Sequence, residues 1–216
     1  MPKIIGVIQV KGGAGRSTVS TNLAGELAKL GSTVLVDCDM PQGTSSSWFA
    51  MRQQAGRDEG LELETATTYR ELAAILGQHQ DADYIVLDGP PRIAEITRMI
   101  LGVSDLALVP IGASKAEVWA STDILEIIKE ARKEARVNAR LVWTRNRPNT
   151  RLSHEVIELA ATELKLPELE TKLAMRVAYP EALGEGLTAA EIGDSIAKGE
   201  AALLVNECLK LLKKGK

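Results

Sequence analysis

Eight residues constrain this chain more than any others: Lys11-Gly12-Gly13-Ala14-Gly15-Arg16-Ser17-Thr18, set between a β-branched run, Ile4 to Val10, and a helical pattern, Thr18 to Lys29. Strand, glycine-rich turn and helix, in that order, is the setting of a phosphate-binding loop. Glycines let successive backbone N–H groups turn inward around phosphate oxygens, and the helix N-terminus adds its partial positive charge. Ser17 would place its hydroxyl on Mg²⁺, and Thr18 would lie at the α-phosphate end. The plainer alternative is a glycine-rich turn that holds no ligand. Two residues depart from the standard pattern: Val10 stands where a glycine is usual, and Arg16 stands where lysine is usual. Lysine reaches phosphate as a compact point charge, whereas arginine is a longer planar fork. Two outcomes therefore stay open, namely nucleotide that binds but turns over slowly, or nucleotide that binds weakly.

The rest of the chain repeats the alternation. Thr33 to Asp37, Tyr84 to Asp88, Leu106 to Pro110 and Arg140 to Thr144 read as strands, with Leu61 to Thr65 as one further candidate. Apart from that last candidate the runs lack polar alternation, which predicts a parallel sheet covered on both faces. Amphipathic stretches at Tyr69 to Leu76, Ala116 to Ala135 and Ser153 to Leu164 are long enough to be right-handed crossovers, and Ile192 to Lys214 reads as one or two closing helices. The expected fold is α/β and doubly wound, a mostly parallel sheet with helices on both faces, in one domain spanning residues 1–216. Aromatic residues are only 3% of the chain, so aliphatic side chains and alanine must fill the core.

Acidic residues stand at the ends of two of these strands. Asp37 and Asp39 close Val34-Leu35-Val36-Asp37-Cys38-Asp39, at the edge of such a sheet where ligands sit. Asp88 closes Asp83-Tyr84-Ile85-Val86-Leu87-Asp88 before Gly89-Pro90-Pro91, the form of a Walker B strand whose carboxylate holds Mg²⁺, usually through water. A purely capping role is the alternative for Asp39. Thr144-Arg145-Asn146-Arg147-Pro148-Asn149 follows a late strand and is either a simple turn or part of a ligand edge.

In combination these segments resemble the ParA/MinD family of P-loop ATPases. KGGAGRST is similar to that family's deviant Walker A motif, KGGxGK[ST], whose early lysine, here Lys11, reaches the partner's ATP in a sandwich dimer. The Asp37 to Gln42 segment resembles the family's DxDPQ, with Met40 inserted before Pro41. Arg176 to Ala182 and Gly186-Leu187-Thr188 resemble its C-terminal segment, so the likeness spans nearly the whole chain and is greatest to small ParA proteins without an N-terminal DNA-binding domain. The resemblance implies ATP/ADP and Mg²⁺ as cofactors. Lys11, Arg16 and Asp39 would be catalytic, with Asp39 positioning the attacking water. Gly12, Gly13, Ala14, Gly15, Arg16, Ser17 and Thr18 would bind the phosphates, Asn146 with Arg147 beside it would meet the base, and Ser17, Asp37 and Asp88 would serve the metal. It further implies a homodimer with ATP, non-specific DNA, and a ParB-like or other adaptor that stimulates hydrolysis while the protein positions plasmid, chromosome or other cargo.

The net charge of −3 gives no global attraction to DNA, so binding there needs a local patch. Arg145, Arg147, Arg151, Lys172, Arg176 and Lys198 with Lys210, Lys213, Lys214 and Lys216 are candidates, and scattered solvated charges are the alternative. A membrane-cycling MinD-like regulator is a competing class, for which Leu203, Leu204, Leu209, Leu211 and Leu212 would supply a lipid-facing stripe, although aromatic anchors are missing. An ATP-dependent ligase would need a small-substrate pocket. An iron–sulfur reductase is excluded by the lack of paired cysteines, since Cys38 and Cys208 are the only two. A nucleotide-binding scaffold with little turnover remains open through Arg16. The chain begins with a short β-like run and not with a charged segment followed by an apolar stretch and a cleavage site, and its two cysteines give at most one disulfide, so a reducing cytoplasm is expected; the resemblance adds association with the nucleoid.

Overall fold

Strands with no exposed face need helices above and below, and the computed structural model shows both layers. It describes residues 1–40, 42–91, 94–148 and 150–214, save the side chains of residues 94 and 214; Pro41, Asn149 and Lys216, named above, lie outside the described residues. In chain order the elements are β1 (Lys3–Val7), α1 (Arg16–Leu27), β2 (Thr33–Asp37), α2 (Thr44–Gln54), β3 (Leu61–Thr65), α3 (Tyr69–Gln78), β4 (Tyr84–Asp88) and α4 (Ala94–Val103). There follow β5 (Leu106–Gly112), α5 (Lys115–Ala120), α6 (Thr122–Ala131), β6 (Ala139–Asn146), α7 (Arg151–Glu163), β7 (Glu168–Ala174), α8 (Ala178–Gly184) and α9 (Ser195–Lys214).

The strands form one seven-stranded sheet in the order β3-β2-β4-β1-β5-β6-β7, with every pairing parallel. The order turns back at β1, so the loop after β1 stands at the crevice where open sheets of this kind receive ligands. Register does the rest. Asp37 of β2 and Val7 of β1 both pair with Asp88 of β4, which brings two carboxylates abreast beside the start of the loop.

All five residues of β2 and all seven of β5 are buried. One layer packs Leu72, Ile100, Ile128 and Val156 from α3, α4, α6 and α7 on the sheet. The other packs Leu23, Trp48, Tyr179 and Leu204 from α1, α2, α8 and α9.

The structure corrects the sequence expectations in several places. The chain leaves β1 at Val7, not Val10, because Gln9 and Val10 already belong to the loop. The strand expected over Thr33 to Asp37 keeps those bounds as β2, and Cys38 lies just past it. The single helix expected over Ala116 to Ala135 is two, broken at Ser121, whose hydroxyl donates to Glu117 O at 2.7 Å and accepts from Gln9 Nε2 at 3.0 Å. Helices α2, α4 and α8 and strand β7 were not expected. Helix α2 is rich in serine and shows little amphipathic pattern; it is anchored by Trp48, whose Nε1 donates to Leu187 O at 2.8 Å. Strand β7, ELETKLA, is written in helix-favouring residues, and its place beside β6 turns it into an edge strand.

Candidate active site

The loop takes its shape from two glycines in the left-handed region, Gly13 (φ 74°) and Gly15 (φ 95°). At Gly15 a side chain is barred twice, by that backbone conformation and by Thr144, 3.1 Å from where a Cβ would stand. Thr144, at the end of β6, also donates its hydroxyl to Ala14 O at 2.8 Å, so β6 braces the loop from behind. Helix α1 is buried on its polar side as well. Asn22 donates to Thr18 O at 2.8 Å and accepts from the Ala189 amide at 2.7 Å, which ties the Leu187-Thr188-Ala189 turn to the loop's helix.

Residues Gly12, Gly13, Gly15, Arg16, Ser17, Thr18 and Asp39 line a cavity of about 490 Å³, with Gln42, Thr44, Pro91 and Leu183 completing it. Next to it, Gly13, Gly15 and Thr18 also border a second cavity of about 270 Å³ whose far wall is Leu173, Ala174, Met175, Tyr179, Pro180 and Leu183. A polar cradle that opens into an apolar slot suits a ligand with a phosphate end and a flat apolar end.

Both loop cations are engaged. Lys11 Nζ donates to Glu117 Oε1 at 2.5 Å, and Arg145, a non-glycine residue at φ 51°, reaches the same oxygen at 3.3 Å. Arg16 is 6% exposed; its Nη1 donates to the carbonyls of Gln9 (2.7 Å) and Lys11 (2.8 Å), and its Nη2 pairs with Asp39 Oδ2 at 3.0 Å.

The two strand-end carboxylates differ. Asp37 is wholly buried and shapes the next turn: Oδ1 accepts the Asp39 amide at 3.0 Å, and Oδ2 accepts the amide (2.9 Å) and hydroxyl (2.8 Å) of Ser46. Asp88 accepts from Ser20 Oγ at 3.0 Å and Ser45 Oγ at 2.7 Å, and Ser17 also bonds to it. Burial pushes Asp88 up to about 6, aided by the charge of Asp37 and opposed by the serine hydroxyls and by Arg16. Among the described residues no group of three or more His, Cys, Asp or Glu side chains is arranged to hold a metal alone. The donor set nevertheless fits magnesium. Asp88 is a buried carboxylate with Asp37 near it, serine hydroxyls around it and no ion pair among the described residues, and Mg²⁺ takes one or two carboxylates and leaves its other places to phosphate and water.

Asn146 is 7% exposed with Oδ1 buried and unpartnered, and neither it nor Arg147 lines the two cavities. Arg147 is exposed and its Nη2 lies 3.5 Å from Met175 Sδ. Sequence reasoning missed Glu117, Gln9, Thr144 and the serines around Asp37 and Asp88. Each becomes relevant through contacts distant in sequence, and no local motif marks it.

A family model described as ATPase MipZ matches residues 3–207. The chain belongs to this family of ATPases. It is a ParA/MinD-type ATPase, as the deviant Walker A resemblance implies, and its sheet and flanking helices are those of that P-loop fold. Among curated relatives it is 29% identical to maintenance of carboxysome distribution protein A of Halothiobacillus neapolitanus over 202 residues, 92% of this chain and 90% of that one. It is 30% identical to the chromosome-partitioning ATPase Soj of Thermus thermophilus over 63% of this chain and 65% of that one. Among solved structures, a McdA–ATP complex from Cyanothece superposes with a TM-score of 0.79 at 17% identity, covering 96% of each chain. The septum site-determining protein MinD of Pyrococcus horikoshii, complexed with Mg-ADP, gives 0.76 at 17% identity, covering 100% of this chain and 99% of that one.

Proposed function

We propose that residues 1–216 act as one P-loop domain that binds ATP and Mg²⁺, dimerises on ATP, and cycles on and off DNA to position a cargo. The observation that carries this reading is the cavity of about 490 Å³ in which the glycine loop, Arg16, Ser17, Thr18 and Asp39 meet. The backbone amides of Gly12 to Thr18 and the Arg16 guanidinium bind the triphosphate. Ser17 and Asp88, with Asp37 behind them, hold Mg²⁺, which when bound neutralises the charge that builds on the phosphates. Asp39 orients the attacking water. The apolar slot takes the base, and Asn146, with its free buried carbonyl oxygen, lies near enough in sequence to Arg145 to meet the base edge after a small movement; Arg147 serves the rim. Lys11 acts across the dimer once it leaves Glu117. Ligand and partner subunit then favour the same state, which makes the dimer a switch.

DNA binding draws on cations without a carboxylate partner. Of the surface considered from sequence, Arg145 pairs with Glu117, Arg151 with Glu155, Lys172 with Glu168 and Arg176 with Glu200. That leaves Arg147, Lys198, Lys210 and Lys213, which have no ion pair among the described residues; Lys216 and the side chain of Lys214 lie outside them. The names of the relatives support a positioning role and favour no single cargo, whether plasmid, chromosome or a large protein assembly. A ParB-like or other adaptor stimulates turnover. The membrane-cycling class loses support because Leu204 and Leu212 are buried and Leu209 and Leu211 pack on the core, leaving Leu203 exposed; no described helix is long and apolar enough to cross a membrane.

The test is ATP binding and hydrolysis by the purified chain, with and without DNA, beside an Arg16→Lys form. Binding with a shift onto DNA supports the switch. Binding by neither form overturns the phosphate-loop reading.

A further inference from the structure

Arg16 borders the cavity that the phosphates would enter, and so does Asp39. The guanidinium is fully spent on protein groups at its two ends: Nη1 on the carbonyls of Gln9 and Lys11, Nη2 on Asp39 at 3.0 Å, while Nε is buried without a partner. Asp39 is its one ionic partner among the described residues, and both side chains are largely covered, at 6% and 13% exposure. A charge-assisted contact in such surroundings is strong. It is also the contact that an incoming phosphate can replace, because the two carbonyls hold Nη1, while the Nη2–Asp39 pair joins two residues that both line the cavity.

We infer that nucleotide binding is an exchange reaction at Arg16, in which the terminal phosphate of a triphosphate takes Nη2 from Asp39 and thereby frees the carboxylate that orients water. The inference rests on the ATPase reading of this site and adds to it an internal reporter of the γ-phosphate. ADP ends one phosphate short and leaves the Arg16–Asp39 pair closed. Hydrolysis joins the water oxygen to the γ-phosphorus and breaks its bond to the β,γ-bridging oxygen. The water's proton passes through Asp39 to the phosphate released beside ADP, and the pair closes again. Lysine in place of Arg16 has one nitrogen and no fork, so it cannot hold the loop carbonyls and Asp39 in this fixed arrangement. The arginine is thus a coupling device, at the cost of weaker binding, and not merely a damaged lysine.

A double-mutant cycle tests this. Binding of AMPPNP and ADP is measured by calorimetry for the unaltered chain, Asp39→Asn, Arg16→Lys and the double variant. Asp39→Asn should tighten AMPPNP roughly tenfold when Arg16 is present, less than about threefold beside Lys, and change ADP little in either. Equal gains in the two backgrounds, or equal gains for AMPPNP and ADP, overturn the exchange while leaving the ATPase reading intact. No binding by any of the four proteins overturns the ATPase reading itself. Should Asp39→Asn fail to fold, guanidinium ¹⁵N NMR of the unaltered chain decides. The Arg16 signals should move with AMPPNP and stay nearly in place with ADP, and identical responses to both would overturn the proposal.

Discussion

The two edges of the sheet treat their cations differently. At the edge that carries the loop, Lys11, Arg16 and Arg145 each have a carboxylate, Glu117 or Asp39. At the opposite edge, Arg136 and Arg140 line a concavity of about 550 Å³ with Asn138, Leu211 and Leu212, and no described ion pair involves either arginine. The one carboxylate there, Asp105, already accepts the Ile4 amide at 2.9 Å and sits 4.0 Å from Lys3. Paired, partly buried cations are held in place and respond to a ligand by exchanging partners. Unpaired ones offer themselves to a polyanion, and of these two Arg136 is exposed and screened by salt, whereas Arg140 is half-buried with its Nε covered. The comparison teaches that this protein's positive charge is committed at its candidate active site and available elsewhere.

The largest effect expected is from Gly15→Val, which meets Thr144 and forces a β-branched residue to φ 95°. ATP binding should fall more than a hundredfold in a fluorescent-nucleotide titration, with about 1–3 kcal/mol lost from stability in a urea melt. Unchanged binding would mean that the loop does not need the shape seen here.

The habit of committed charge extends to Arg52 and Glu191, paired at 2.8 Å and 3.1 Å between α2 and the turn before α9. Burial alone would raise Glu191, but the bonds from Arg52 and the Thr188 amide and the charges of Arg52 and Lys29 outweigh it and bring it to about 2. A folded-state pKa below the unfolded one contributes stability that is present above the unfolded carboxylate range and lost as pH falls towards 2. Urea melts between pH 6 and pH 3 should therefore show on the order of 2 kcal/mol less acid destabilisation in Glu191→Gln than in the unaltered chain, relative to their values at pH 6. Parallel curves would remove Glu191 from this account.

Replacing Arg136 and Arg140 together by alanine sharpens the contrast between the edges. If the free cations contact DNA phosphates, affinity should drop about tenfold near 0.1 M salt and the log–log salt slope should shrink by about 2, with ATP affinity untouched. An unchanged slope places DNA elsewhere, with Arg147 and Lys198 next in line.

The smallest expected effect is that of Glu117→Gln, which loosens Lys11 without touching the phosphate cradle. The fraction of dimer at a fixed ATP concentration, read by light scattering, should rise about threefold, the size of a modest charge-assisted contact. A fall would show that Glu117 supports the dimer and does not restrain Lys11.

Much of this site was legible in the sequence because its chemistry is local. The loop's glycines, Ser17, Thr18 and the strand-end Asp37 and Asp88 lie in runs whose patterning fixes strand, turn and helix, and the structure brings them to one edge. The expected strands recur with small shifts for the same reason. Strand β7, helix α2 and the break at Ser121 were not legible, because their sequences carry the wrong propensity or none and only contacts with β6, Leu187 and Gln9 decide them.

The sequence by itself determined the alternation of strand and helix that a doubly wound fold needs, the phosphate loop and the supply of carboxylates, since backbone periodicity and glycine conformation act within a few residues. Only the tertiary structure decided which charge meets which: Arg16 with Asp39 across 23 residues, Lys11 with Glu117 across 106, and Arg136 and Arg140 with no ion pair among the described residues. Ion pairing depends on a few ångströms of separation and on exclusion of water, and neither exists until the sheet has set its register.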